Sequence, residues 1–283
     1  MSASPFSPLY AFDNYFAHTP LVDDPAAQAE LARQLGYGAT YHSMNRTTAE
    51  GWAKLRSWHD ASAAGGLPVA AYYTVVKIGE EPPEGGYQVD ELIAVLPEGS
   101  ILELAITIPG QSPSDATHDA RAVAWLRELL PAARKRDITL SLYHHIWFWM
   151  ERIEDCVRVA SQVNDPLLRV TFCGYHWFAV DGTQLDARLD LAAPWLRLAN
   201  LCGSRRYADG EQRVSGLPAT IEPVGEGDFP LDAFVSGLLR VGYAGPIGFQ
   251  GYQIGGEPPV TLRRSMDGWH AALERSGLGG ARA

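Results

Sequence analysis

The chain has 283 residues, 46% of them hydrophobic, and a formal charge of −10 from 33 acidic and 23 basic side chains. That length suits one large barrel-sized domain, and the composition excludes a disordered or fibrous chain. Net negative charge opposes phosphate backbones and anionic membranes, so no nucleic acid and no membrane are expected as partners. A neutral or polyhydroxylated small molecule fits better.

At the amino end, MSASPFSPLYAFDN lacks the long apolar middle of a signal peptide, and no later run approaches about 20 apolar residues. Cys156, Cys173 and Cys202 are too few and too widely spaced for a disulfide scaffold or a paired-cysteine zinc motif. A soluble protein of the reducing cytoplasm is expected.

Short apolar runs alternate with segments of helical period, about eight times over. This is the pattern of a (β/α)8 TIM barrel, here expected to fill residues 1–283 as one domain. The strands are expected near Leu9–Asp13, Gly38–His42, Pro68–Val75, Ser100–Thr107, Ile138–Tyr143, Leu168–Cys173, Leu196–Leu201 and Pro246–Gln250. RVTFCGYHWFAVDG, from Arg169 to Gly182, reads as the sixth strand running into a loop. In ERIEDCVRVASQV, Ile153, Cys156, Val157, Ala160 and Val163 share one helical face. In GDFPLDAFVSGLLRVGYAG, Asp228 is expected to cap a helix with the stripe Leu231, Phe234, Leu238 and Val241, and Gly242 to stop it. Two longer loops follow strand ends: VKIGEEPPEGGYQ after the third and GSRRYADGEQRVSGLPATIEPVGEG after the seventh. They are candidates for a lid and a substrate-gripping loop.

In such a barrel, the side chains that end the strands converge on the mouth. Glu103 lies in the fourth strand, and Tyr143, His144 and His145 close the fifth. Cys173 and His176 follow the sixth, Asn200 and Cys202 the seventh, and Gln250 the eighth. Aromatic residues crowd the same ends, among them Trp147 and Trp177. A sugar's C–H face packs on such rings while Asn, Gln and His bind its hydroxyls; the competing reading is that the rings fill the core. Histidine titrates near neutrality, which makes His145 and His176 acid–base candidates, against a structural role as hydrogen-bonders. Tyr143 is a candidate acid or oxyanion partner, or a core cap. Glu103 is a candidate base, or the brace of a barrel neighbour. Arg205, beside Arg206, could grip an anion or form part of a solvated pair. GEGD at 225–228 reads as a helix entry, since its acids would repel a phosphate.

Three segments carry a resemblance: LSLYHHIWF, VTFCGYHWFAVDG and, most specifically, EPVGEGDFPLDAFVSGLLRVGYAGPIGFQ. With them the chain resembles the sugar phosphate isomerase/epimerase family with its xylose-isomerase-like barrel, from the first strand to the last helix. The resemblance implies a divalent cation such as Mn²⁺, held by a Glu, an Asp, a His and a Glu from strands five to eight, with the two Glu residues moving the proton. At those positions stand Tyr143, Cys173, Asn200 and Gln250, while His145 and His176 match retained family positions. Three carboxylates have gone, so a hard cation loses its neutralising charge and none is expected as cofactor. A softer ion such as Zn²⁺ on Cys173, His145 and His176 would lack a clear fourth ligand.

The first functional expectation is an isomerase, epimerase or keto-sugar lyase acting by proton transfer without a tightly held metal. Asn200, Gln250, Cys173, Trp147, Trp177 and Arg205 would bind the carbohydrate. The alternative is a degenerate barrel that binds a carbohydrate or regulates. The wider fold also includes metal-dependent endonucleases acting at abasic sites, which an acidic chain without the ligand set fits badly. Barrels of this family often pair, which leaves a homodimer open.

Overall fold

The computed structural model describes residue 6 and residues 9–44, 49–80 and 88–278, with backbone alone for 49–54. Residues 1–5, 7 and 8 of the opening stretch, which the sequence reads as lacking a signal peptide, lie outside the described residues, as do residues 81–87 of the expected lid.

Runs rich in Val, Ile, Leu and aromatics form eight strands because both faces of each are covered. They are β1 (Leu9–Ala11), β2 (Thr40–Ser43), β3 (Val69–Lys77), β4 (Ile101–Thr107), β5 (Thr139–Tyr143), β6 (Leu168–Cys173), β7 (Leu196–Leu201) and β8 (Ile247–Phe249). All pair in parallel, in the order β1-β8-β7-β6-β5-β4-β3-β2, and a bridge between Tyr10 and Ala39 brings the two edges together. The result is a nearly closed barrel that leaves almost no free edge. Around it run α1 (Pro25–Gln34), α2 (Ala49–Gly65), α3 (Val89–Val95), α4 (Asp119–Lys135), α5 (Ile153–Val163), α6 (Gly174–Val180), α7 (Leu185–Ala192), α8 (Leu231–Arg240) and α9 (Pro258–Arg275). Among the described residues no helix is long and apolar enough to cross a membrane.

The predicted faces pack as their periods require. On α5, Ile153, Cys156, Val157, Ala160 and Val163 are all buried, and Asn164 ends the helix in the left-handed region at φ 53°. On α8, Leu231, Phe234 and Leu238 are buried, and Gly242 turns the chain at φ 73° so that Tyr243 N–H reaches the Leu238 carbonyl.

Two expectations fail. The chain after β6 is a helix, α6, which follows Cys173 directly with no intervening loop. Asp228 does not cap α8: its backbone N–H donates to the Ser204 carbonyl at 2.6 Å, and Pro230 stands at the helix start without a side-chain cap. The GEGD stretch therefore belongs to the turn that ties the β7 loop down, through the pairing of Ser204 with Gly227.

Inside the barrel, Tyr10, Phe12 and Tyr41 stack in near-parallel planes, with the last two centroids 3.9 Å apart. This stack needs Gly248 on β8, where a Cβ would lie 2.6 Å from the Tyr10 ring.

Candidate active site

Beneath the rim, Glu103 on β4 is fully buried. Its carboxyl accepts hydrogen bonds from the Tyr41 hydroxyl on β2 and the Thr171 hydroxyl on β6, and Thr171 shares a further bond with Ser141 on β5 at 2.8 Å. Burial pushes the carboxyl up to about 7, and the two hydroxyl donors offset part of that rise. Glu103 points into the barrel below the rim, where it braces Tyr41 and Thr171. Tyr41 and Thr171 gave no signal of this, because each reads as an ordinary strand residue.

One layer nearer the mouth, the strand tips meet. The Tyr143 hydroxyl donates to Cys173 Sγ at 3.2 Å, and the Cys173 thiol donates to Gln250 Oε1 at 3.5 Å. The chain thus crosses from β5 through β6 to the end of β8. Asn200 pairs in register with Cys173 and with Gly248, is fully buried, and keeps both amide atoms without a hydrogen-bond partner among the described residues. Burial holds the Tyr143 phenol far above its ordinary value and pushes the Cys173 thiol up to about 12. Both keep their protons. Four tips that meet in one place therefore offer no formal charge, and a hard dication does not fit a donor set of phenol, thiol and two amides.

Three histidines stand at the ends of β5 and β6. His144 is fully used: its Nε2 accepts from the Cys173 backbone N–H at 2.9 Å and its Nδ1 donates to the Glu151 carbonyl at 3.4 Å. Its place at the strand end gives no hint that it buttresses Cys173. His145 and His176 have ring centroids 4.0 Å apart, and Phe148 stacks on the other side of His145 at 4.1 Å. Burial lowers His144 to about 3 and His145 to about 4, and holds His176 well below the ordinary imidazole value. All three rings are neutral at pH 7. The Tyr143 ring meets His176 edge-on at 5.6 Å, which joins the histidine pair to the neutral tips.

The remaining expected residues take no part in that hydrogen-bonded chain. Trp147 is 53% exposed and held at φ 69°, a costly conformation for an aromatic residue, with its N–H donating to Glu151 Oε1 at 2.9 Å. Trp177 is buried; its indole N–H donates to the Thr183 carbonyl and its ring meets Phe229 edge-on, so it packs behind α6 and is not an open wall. Arg205 closes its fork on Glu211 at 2.6 and 2.8 Å and approaches Glu222 at 3.4 Å, so its guanidinium is already committed within its own loop. Behind α6, Asp181 binds both Arg152 and Arg188, and Arg188 also holds Glu154 at 2.6 Å. The Arg188 fork in particular keeps the Asp181 carboxyl far below the usual carboxylate range.

Residues 29–272 match the family described as xylose isomerase-like TIM barrel. No curated protein matches the chain significantly in sequence. Among solved structures, a xylose isomerase-like TIM barrel/4-hydroxyphenylpyruvate dioxygenase fusion protein is 15% identical with a TM-score of 0.71; the match covers 98% of this chain and 45% of the fusion, so this chain spans less than half of that protein. The IOLI protein, whose structure holds a zinc atom, is 13% identical with a TM-score of 0.73, covering 95% and 98% of the two chains. D-allulose 3-epimerase from Methylomonas sp. is 15% identical with a TM-score of 0.69, covering 96% and 100%. At these identities the likeness is one of fold.

Proposed function

The chain belongs to the xylose isomerase-like TIM barrel family, and from that premise we propose that it is a sugar isomerase or epimerase that moves a proton next to a carbonyl without the divalent cation of its relatives. One observation carries the reading. The Tyr143–Cys173–Gln250 chain occupies the converging strand tips, and the closely packed pair His145 and His176 adjoins it. That arrangement supplies neutral acid–base groups beside neutral hydrogen-bonding groups, with no carboxylate among the four tips to cage a cation.

In this reading the C–H bond beside the sugar carbonyl breaks, its proton passes to an imidazole, and the electron pair moves onto the carbonyl oxygen. Delivery of a proton to the opposite face of the same carbon gives the epimer, and delivery to the former carbonyl carbon, with the neighbouring hydroxyl proton passing to the former carbonyl oxygen, gives the isomer, so no oxidant or further reactant enters. Neutral imidazoles suit the first step because a ring already protonated cannot accept. The donors that would meet the developing oxygen charge are held in a buried setting, where a hydrogen bond gains most. Asn200, with both amide atoms unpartnered, and Gln250, whose amide nitrogen is left over from its bond to Cys173, would hold sugar hydroxyls. Trp147, exposed on the β5 loop, would present its ring to the sugar's C–H face. Three allied solved structures are named as a D-allulose 3-epimerase, an L-ribulose 3-epimerase and a 3-keto-D-glucoside 4-epimerase, which supports the sugar class.

The test is incubation of the protein with unphosphorylated ketoses in D2O, followed by mass spectrometry of the sugar. Deuterium entry at a carbon next to the carbonyl, lost in His145→Ala, is the expected result. Saturable sugar affinity without any exchange would instead assign a binding module.

A further inference from the structure

We infer that Ile146, through its own peptide N–H and C=O, locks His145 and His176 in opposite tautomers and so makes one ring the proton acceptor and the other the hydrogen-bond donor. The inference rests on the proposed reading of these two rings as the acid–base pair. It adds the direction in which they work and the group that sets it.

The hydrogen bonds fix the tautomers by elimination. His145 Nδ1 lies 2.7 Å from the Ile146 carbonyl oxygen. An oxygen of that kind only accepts, so Nδ1 carries the hydrogen and, in a neutral ring, Nε2 is bare. His176 Nδ1 lies 3.4 Å from the Ile146 backbone nitrogen, whose N–H only donates. That Nδ1 is therefore bare and Nε2 carries the hydrogen. His176 is buried, and its Nε2 has no hydrogen-bond partner among the described residues. A buried N–H without a partner is costly, which is the condition expected of a donor kept for a ligand oxygen.

His144 provides the contrast within the same cluster. Both of its nitrogens are satisfied by backbone groups of Cys173 and Glu151, so nothing remains for a ligand. His145 and His176 each keep one nitrogen, and the two differ in sense. With the ring centroids 4.0 Å apart, a charge on one disfavours a charge on the other, so the pair takes up a single proton at a time. In the enolisation step, the C–H proton goes to His145 Nε2 and the carbonyl electron pair becomes the enolate oxygen. His176 Nε2–H meets that oxygen with a hydrogen bond and keeps its own proton, since its loss would leave an imidazolate. Ile146 is the positioning residue, acting only through its backbone, and Trp147 directly after it is held at φ 69° with its N–H tied to Glu151.

The test is a long-range proton–nitrogen correlation spectrum of the full chain, labelled with ¹⁵N-histidine, at pH 7.5. The expected result is one ring with Nδ1–H and a bare Nε2, and one with Nε2–H and a bare Nδ1, each favoured by about tenfold or more. The signals are assigned by their loss in His145→Asn and His176→Asn, or by through-bond connection to Cβ in the wild type where a variant does not fold. Matching tautomers on the two rings, or the reverse assignment, would overturn the inference. Deuterium exchange into a ketose is measured on the same sample. Opposite tautomers with no exchange would defeat the acid–base reading alone; exchange with matching tautomers would defeat the Ile146 lock alone.

Discussion

Two neighbouring regions of the fold treat charge in opposite ways. Behind α6, Asp181, Arg152, Arg188 and Glu154 form an ion-paired clamp, with Arg188 only 8% exposed. At the strand tips just inside, Tyr143, Cys173, Asn200 and Gln250 carry no charge. The neutral mouth does not reflect a shortage of charged residues in this part of the chain. Charges are placed where each finds a partner, while the position that would otherwise cage a cation has become a hydrogen-bonded chain of protonated groups. The clamp fixes α6, and α6 carries His176, so the ionic region supports the neutral one mechanically.

If that division is right, removing a side chain from the mouth should affect turnover and removing one from the clamp should affect stability. The largest effect is expected from His145→Ala, which should cut deuterium exchange into the ketose by roughly 10²- to 10⁴-fold, far more than any accompanying change in Tm accounts for. A large Tm loss with unchanged exchange would make His145 structural. Arg188→Ala should cost roughly 1.5 to 3 kcal/mol in chemical denaturation, since it removes a charged hydrogen-bonding partner from Glu154 and from Asp181, which keeps only Arg152. A loss under 1 kcal/mol would mean that the clamp contributes little.

Glu103 belongs to neither region and tests depth. Burial raises its carboxyl above the ordinary value of 4.5 to about 7, so the folded protein holds this proton over a range where the unfolded chain has lost it. Its contribution to stability is full below about pH 4.5 and is lost as pH rises through about 7. The lowered histidines slope the other way below their ordinary 6.5, so the informative quantity is wild type minus Glu103→Gln. That difference should change by roughly 3 kcal/mol between these pH values; a flat difference would place an ordinary carboxyl there. The smallest effect is expected from Arg205→Ala. With its fork closed on Glu211, the change should leave ketose exchange untouched, and a marked rise in KM would return Arg205 to the substrate.

Much of this architecture can be read from the sequence. β6 and β7 fall on their expected residues because short, mostly apolar runs whose later residues are buried have no competing helical pattern. The convergence of Tyr143, Cys173 and Gln250 follows from their places at strand ends. What could not be read depends on backbone groups and on short elements. The seven residues of α6 look like a loop because Gly174 opens the segment, aromatics and Val180 fill it, and Asp181 and Gly182 end it. Asp228 looks like a cap, yet its N–H goes to Ser204. Trp177 reads as a pocket wall because nothing in its own segment announces the Thr183 carbonyl that holds its indole. The tautomers of His145 and His176 depend on the peptide of Ile146, whose side chain gives no hint of that role.

The most direct measurement is the metal content of the purified chain by inductively coupled plasma mass spectrometry, paired with ketose deuterium exchange before and after chelation. Neutral tips predict far less than one divalent ion per chain and an exchange rate that the chelator leaves unchanged. One Mn²⁺ or Zn²⁺ per chain, with exchange abolished on its removal and restored on its return, would contradict a cation-free mouth.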